Sequence, residues 1–371
     1  MRDQSTRSIY RTGRSEGANP RGPGGNDRWA SGLLPPGDLL IAGGQHYAVA
    51  IQFLACIVLI HLVRTPCPGR RQQLGAVEHV KAALKKTIVV EGIAPTTTVL
   101  QYVRSKGITG TKEGCAEGDC GACSVVVLDT SADGQQRYRA INSCLLFLPM
   151  VHGKQVFTVE GLTRDGQPHP VQSALVDRLG SQCGYCTPGV VMSMFEACYR
   201  DDLDADWKVD DQMCGNLCRC TGYGPIIEAA RQACAQPLPV SWQAFSSTAL
   251  AVLAGWQQDP SALHCQGRRG LFAAPRSTVD LLEYLAEHPQ ATVLAGATDI
   301  GLWITKQGRQ LPVLLYLGQL PELKSLKNNS DTLEIGATVT IQETQPVLAA
   351  LSPDLARLLC RFGSRQVRNV A

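Results

Sequence analysis

An excess of charge is the first thing this chain lacks. Lys and Arg total 35 against 32 Asp and Glu, a net charge of +3, and charged residues make up only 18% of the 371 positions. Several of the arginines crowd the N-terminal segment, so no basic face argues for nucleic acid. Aromatic residues are also few, at 6%. Trp207, Trp242, Trp256 and Trp303 are scattered without a basic stripe, which speaks against a stacking platform for bases. Long apolar runs are missing too. The nearest is YAVAIQFLACIVLIHLV, residues 47–63, free of Asp, Glu, Lys and Arg but flanked by arginines on both sides. It falls short of the ~20 residues a membrane span needs, and no small-residue cleavage site follows it. No internal repeat is evident.

What the chain has in plenty is cysteine. There are 15, an odd total concentrated between Cys115 and Cys234, and such clustering favours metal over a disulfide framework. Apolar residues at 44% suit two or three domains with real cores. Residues 1–45, rich in Arg, Gly, Ser and Pro, have a disordered composition. Residues 1–85, with the apolar run 47–63 inside them, are set aside as an uncertain N-terminal extension of the kind an early start codon produces, and not as a membrane anchor.

From Lys86 the texture changes. KTIVVEG reads as a strand and TTTVLQYVRSKG as a helix with Val99, Leu100 and Val103 on one face and Gly107 as its stop. Strands follow at CSVVVLD, RYRAINS and KQVFTVEG, so 86–161 is expected to be a short α+β domain. Helical periods then take over in 162–236. HPVQSALVDRLG places Val171, Ala174, Leu175 and Leu179 on a stripe, PGVVMSMFEACYR does so with Val191, Met194, Phe195 and Cys198, and GPIIEAARQACAQ repeats the device. Residues 237–269 read as a linker with one helix in STALAVLAGW. In 270–371 helices alternate with the strands ATVLAG, LPVLLYLG and TLEIGAT, which implies an α/β unit.

GCAEGDCGACSVVV crowds three cysteines into a glycine-rich loop. Cys115, Cys120 and Cys123 have the spacing C-x4-C-x2-C, and Cys144 follows in NSCLLF, the plant-type [2Fe–2S] pattern. Glycines at 114, 118 and 121 let backbone N–H groups wrap a negative centre closely. A zinc site is the rival, though only Cys120 and Cys123 form the C-x2-C unit such sites pair. A second set lies in QCGYCTPG, with Cys183 and Cys186, and GNLCRCTGYGP, with Cys218 and Cys220. Pro188 and Pro225 put each pair at or just before a helix start, where the helix dipole favours thiolate. A thioredoxin-like reading of CGYC lacks its βαβ surroundings and leaves the C-x-C unexplained. Cys198, Cys234 and Cys360 fall on apolar stripes as core residues, Cys214 is a spare small residue, and His169 beside Pro170 suits a helix cap.

In this order the motifs TGTKEGCAEGDCGAC, INSCL, HPVQ, SQCGYCTPG and GNLCRCTGYGPI, followed by VLAGATDIGLWITK, resemble the molybdenum hydroxylase family, in particular the iron–sulfur and flavin subunit of its bacterial xanthine dehydrogenase branch. The resemblance covers residues 86–371. It implies an α+β multidomain fold: a ferredoxin-like β-grasp [2Fe–2S] domain, a four-helix-bundle [2Fe–2S] domain and a partial α/β FAD-binding domain. It implies one cluster on Cys115, Cys120, Cys123 and Cys144, a second on Cys183, Cys186, Cys218 and Cys220 nearest a molybdopterin held by a partner large subunit, and Gln182 touching that pterin. Val293, Leu294, Ala295, Gly296, Ala297, Thr298, Asp299 and Ile300 would form the flavin loop, with Ala297 where the family more usually has Gly or Asn.

The implied activity is oxidoreductase electron relay to FAD and on to NAD during purine hydroxylation, by a cytoplasmic heterodimer or dimer of heterodimers, with no side chain acting as a catalytic acid, base or nucleophile. Related hydroxylases of aldehydes or N-heterocycles share the motifs, and a zinc-binding interaction protein is the reading from another class. Against the family pattern, VEHVKAALKK stands where a first strand is usual, so that strand is expected to be missing or wrong. The chain also ends at FGSRQVRNVA, short of the family's Gly-Gly-Asn segment and NAD-contacting remainder, so a truncated chain is expected.

Overall fold

The computed structural model describes residues 47–54, 57–64, 89–90 and 93–371, apart from 165, 258–260, 268 and 330. The Arg- and Gly-rich segment 1–45 and VEHVKAALKK lie outside the described residues. The first layer is a six-stranded sheet built from β1 (Tyr47–Leu54), β2 (Ile57–Arg64), β3 (Val89–Val90), β4 (Ser124–Thr130), β5 (Gln136–Asn142) and β6 (Lys154–Phe157). Its order is β3-β1-β2-β6-β4-β5, and every neighbouring pair is antiparallel.

The apolar run 47–63 therefore does not stand outside the fold. Its two halves pair with each other from Tyr47↔Arg64 to Leu54↔Ile57, and β2 joins them to β6. Runs of Ile and Val suit a pleated backbone. The sheet strands before β3 come from this segment.

SVVVL in β4 is buried without alternation because it serves two cores. Val126 and Leu128 face the helical domain with Tyr138, Ala140 and Phe157. Val125 and Val127 face the third domain with Ile141 and Val156. A strand covered on both faces reads as a continuous apolar run. Beside the sheet lies α1 (Val99–Ser105), held at its start by a Thr98/Gln101 capping box.

The helical domain contains α2 (Pro170–Asp177), α3 (Thr187–Ala197), α4 (Asp206–Met213) and α5 (Gly224–Cys234). Every residue of α3 from Gly189 to Ala197 is buried, so the other elements pack around it. His169 caps α2, its ring nitrogen accepting from the Val171 amide at 3.3 Å. Leu179, expected on the buried stripe of α2, lies beyond its end with φ +55° and is 78% exposed.

The helix expected in STALAVLAGW is present but longer: α6 (Val240–Gln257), 18 residues, takes up much of the span 237–269 expected as a linker. Trp242, Phe245, Ala249, Val252 and Leu253 recur at helical spacing and join the core of the helical domain. Pro237 and Pro239 precede the helix start.

In the third domain, β7 (Leu263–Gly267), β8 (Gly270–Ala274), β9 (Thr292–Leu294) and β10 (Val313–Tyr316) form a sheet of order β7-β8-β10-β9. The strand β10 runs parallel to β8 and β9, and β7 is antiparallel to β8. TLEIGAT contributes β12 (Leu333–Ile335), which pairs with β11 (Leu326–Asn328) in a separate ribbon. The helices are α7 (Thr278–Glu287), α8 (Ile300–Thr305), α9 (Ile341–Leu351), α10 (Pro353–Arg361) and α11 (Arg365–Arg368). The result is an α+β multidomain chain with a helical bundle between two sheet domains in sequence. Among the described residues no helix is long and apolar enough to cross a membrane.

Candidate iron–sulfur and flavin sites

The loop before β4 draws Cys115, Cys120, Cys123 and Cys144 together as two thiol pairs. Cys115 Sγ accepts from the amides of Cys120 at 3.3 Å and Glu117 at 3.4 Å, and Cys120 Sγ accepts from the Cys115 amide at 3.4 Å. Burial pushes the Cys115 thiol up, but the amides of Cys120, Glu117 and Asp119 outweigh it and hold it below the ordinary thiol range. Cys123 and Cys144 hydrogen-bond to each other in the interior. That bond holds Cys123 low against its burial, and the same bond, burial and charge repulsion push Cys144 far up. Within each pair the thiolate form of one thiol is favoured over that of its neighbour, and thiolates that bind a metal give up the protons they carry.

The second set behaves alike. Cys183 hydrogen-bonds to Cys220, and Cys186 to Cys218. The Tyr185 amide and the Cys220 bond hold Cys183 low, whereas burial and Cys218 push Cys186 up to about 12. Cys186 is the cap residue just before α3, and Cys218 and Cys220 lie just before α5, as the two prolines indicated. Cys183 and Cys220 are exposed and Cys218 is buried. Gln182, beside Cys183, is exposed.

Among the described residues no three His, Cys, Asp or Glu side chains close around a single ion. The thiols meet as pairs, which matches two irons with two thiolates each. The donor set therefore fits a two-iron cluster in both places.

The two loops are tied to each other. The Cys120 carbonyl accepts from the Leu217 amide at 2.9 Å, and Asn216 Nδ2 donates to the Gly121 carbonyl at 3.2 Å. Gly121 is required here twice over: its φ is +67°, and a Cβ would stand 2.1 Å from the Gly215 carbonyl oxygen. Tyr185 donates its hydroxyl proton to the Glu113 carbonyl, a further link between the loops.

A buried polar network that sequence reasoning missed joins these loops to the third domain. Glu196 on α3 accepts from Arg365 Nε at 2.9 Å, Gln212 Nε2 at 2.9 Å, the Ala140 amide at 3.1 Å and Asn369 Nδ2 at 3.2 Å. Gln366 Nε2 donates to Ser193 Oγ at 2.8 Å and Asn216 Oδ1 at 3.0 Å. Arg368 pairs with Asp211 at 2.6 Å. The segment SRQVRN thus plugs α11 into the bundle. A clue was available: polar side chains so dense in so short a segment need partners.

The loop 293–300 leaves β9 at its carboxyl end, beside the parallel strand β10, the position where open α/β sheets take ligands. Leu294 and Ala297 are buried, Gly296 and Thr298 are half-buried, and Val293 and Asp299 are exposed. Ala297 has φ +59°, a left-handed conformation that costs an alanine about 1 kcal/mol and accounts for glycine or asparagine being the usual choice. The Val370 carbonyl lies against Gly296, so close that a Cβ there would be 2.0 Å from it. A cavity of about 10 Å³ lined by Gly296, Thr298, Gln366 and Val370 adjoins the loop. The small side chains and the Thr298 hydroxyl are of the kind that suits a flavin pyrophosphate, while the space beside Gly296 is taken by the Val370 carbonyl.

Other cysteines sit apart from these sites. Cys198 and Cys234 hydrogen-bond to each other between α3 and α5, Cys360 accepts from Gln345 Nε2 at 3.0 Å, and Cys214 is exposed at the end of α4.

Comparison with known proteins agrees with this layout. Residues 83–148 match the family described as 2Fe-2S iron-sulfur cluster binding domain, residues 158–231 the [2Fe-2S] binding domain, and residues 266–371 the FAD binding domain in molybdopterin dehydrogenase. The chain is 32% identical to xanthine dehydrogenase of Emericella nidulans, covering 76% of this chain and 25% of that protein. It is 30% identical to aldehyde oxidase 2 of Cavia porcellus, covering 77% and 26%. Quinoline 2-oxidoreductase from Pseudomonas putida 86, a solved structure, is 27% identical over 47% of this chain and 91% of that one, with a TM-score of 0.35, at which likeness of fold carries no argument. The chain spans about a quarter of the length of the curated relatives it matches. With two [2Fe–2S]-binding domains followed by a flavin-binding one, the chain is similar to the iron–sulfur and FAD part of the molybdenum hydroxylases, small-subunit-like in its order of domains.

Proposed function

We propose that this chain is the electron-transfer subunit of a xanthine dehydrogenase, working between a molybdopterin-bearing large subunit and NAD during the hydroxylation of hypoxanthine and xanthine in the cytoplasm. Cys115, Cys120, Cys123 and Cys144 would hold one [2Fe–2S] cluster, and Cys183, Cys186, Cys218 and Cys220 the other. Residues 293–300 would hold FAD, and Gln182 would meet the pterin. Bound there, the two clusters supply single-electron carriage and the flavin supplies the pairing that a hydride acceptor needs.

The observation that carries this reading is two separate sets of four thiols, each gathered as two pairs, ahead of a flavin-type domain in one chain. The chain's own part is to hold thiolates low with backbone amides, bury Cys123 and Cys144 of the first set and leave Cys183 and Cys220 of the second at the surface. Cys183 and Cys220 are exposed in the same loops as Tyr185 at 50% and Leu217 at 63% exposure. That is a suitable face for the large subunit, in a heterodimer or a dimer of heterodimers. A second reading, in which the partner acts on an aldehyde or another N-heterocycle, is supported by the likeness to aldehyde oxidase 2.

The test is the cofactor content of anaerobically purified chain. The expected result is about four irons and four acid-labile sulfides per chain, with FAD released on denaturation. Zinc in place of iron overturns the proposal. Reduction of NAD by the assembled complex with xanthine, but not with aldehydes, separates the two substrate readings.

A further inference from the structure

The helix that follows the candidate flavin loop, α8, meets the first thiol set at three points. At its start stands Gly301, whose Cβ would lie 2.9 Å from the Leu145 carbonyl oxygen and 3.2 Å from Leu145 Cα. Leu145 follows Cys144, so only glycine lets the helix approach this closely. In its middle, Leu302 packs on the cluster of Leu100, Cys123, Cys144 and Leu145. Just past its end, Lys306 Nζ donates to the Cys115 carbonyl at 2.5 Å and pairs with Glu117 Oε2 at 3.1 Å. The Glu117 amide in turn points at Cys115 Sγ. One six-residue helix therefore fixes the flavin side to the loop that carries the first quartet.

We propose that Lys306 is a positioning residue: it clamps the Cys115 loop to α8 and raises the reduction potential of the cluster held by Cys115, Cys120, Cys123 and Cys144. The proposal rests on the reading of that quartet as a [2Fe–2S] site. One-electron reduction adds a negative charge to the centre, and an ammonium fixed on the Cys115 carbonyl favours the reduced form. Glu117 opposes it, and the two charges partly cancel. Their side chains are 42% and 45% exposed, so solvent screens both and the effect of each alone is moderate. Glu113 and Asp119 lie in the same loop and act equally in every variant below.

The test is a potentiometric titration of the cofactor-loaded chain with dithionite as electron donor, one electron entering each cluster, followed by paramagnetic resonance. Lys306→Met is expected to lower the reduced-to-oxidised ratio of the first cluster roughly fivefold at a fixed potential, about 40 mV at 59 mV per tenfold. Glu117→Gln is expected to raise it by a similar factor. The double variant and Lys306→Arg stay near wild type, and the second cluster does not move. A mere packing role predicts no such opposed shifts.

Wild-type chain without iron would sink the cluster reading itself. Wild-type chain with both signals, but single variants that leave the first potential unmoved or shift it in the same direction, overturns only the role of Lys306. Should Lys306→Met shed its first cluster, Lys306→Gln, which keeps an N–H donor for the Cys115 carbonyl and removes the charge, decides: a lowered potential supports the proposal, an unmoved one overturns it.

Discussion

Replacing Arg365 by methionine removes the countercharge from a carboxylate with almost no access to water. The Glu196 side chain is 1% exposed and that of Arg365 10%, with 2.9 Å between Nε and Oε1. After the change Oε2 keeps its bonds from Gln212 and the Ala140 amide, and Oε1 keeps only Asn369. Breaking one side of a buried ion pair costs about 3–5 kcal/mol. Three neutral donors remain and methionine fills most of the aliphatic volume, so about 3 kcal/mol is expected. Burial pushes the Glu196 carboxyl up, but Arg365 and then Gln212 outweigh it and hold it below the ordinary value of 4.5.

A carboxyl lowered by folding contributes stability that is fully present above its unfolded value and is lost as pH falls through the folded one. Arg365→Met should therefore lose most at neutral pH and converge with wild type in acid. Urea unfolding followed by helical circular dichroism at pH 7 and at pH 3 measures both. Glu196→Gln combined with Arg365→Met should regain most of the loss, because no unpaired charge is then buried and the amide oxygen still accepts from the Ala140 amide. A single variant that loses less than about 1 kcal/mol at pH 7, or a double variant as weak as the single, refutes the reasoning.

Further outcomes follow from the sites. Cys220→Ser should abolish one cluster signal and leave the other, since the quartets are separate; loss of both in the resonance spectrum would contradict that. Gly121→Ala should drive a methyl into the Gly215 carbonyl and reduce the iron retained, checked by iron per chain against Gly134→Ala, where a Cβ meets nothing within 4 Å. His169 is held down to about 4, by burial first and then by Arg164. The unfolded chain binds a proton there that the folded chain refuses, so wild type should lose up to about 3 kcal/mol as pH falls from 6.5 to 4. His169→Asn, which keeps a cap acceptor, should flatten that window in urea midpoints taken across it.

Much of this was legible because metal ligation leaves a local imprint. C-x4-C-x2-C and the paired C-x2-C and C-x-C announce themselves without any fold, and helices with apolar stripes, such as Thr187–Ala197, show their period. Non-local features left weaker marks. The segment 47–64 resembles a failed membrane span until its two halves pair. Glu196 sits alone in an apolar helix, and nothing in MSMFEACYR says that Arg365, some 170 positions later, will meet it. Lys306 looks like an ordinary helix-end cation, because its meaning depends on which carbonyl the fold carries to it. Of the helix Val240–Gln257 only the apolar part STALAVLAGW was legible, and its first turns, which bury Trp242 and Phe245, were not.

The most direct test of the account is a reductive titration of the iron-loaded chain, counting electrons while the paramagnetic signals appear. Two distinct signals, each taking about one electron per chain, are predicted. A lone signal from a chain with all eight cysteines intact, or none, would contradict the assignment of two independent centres.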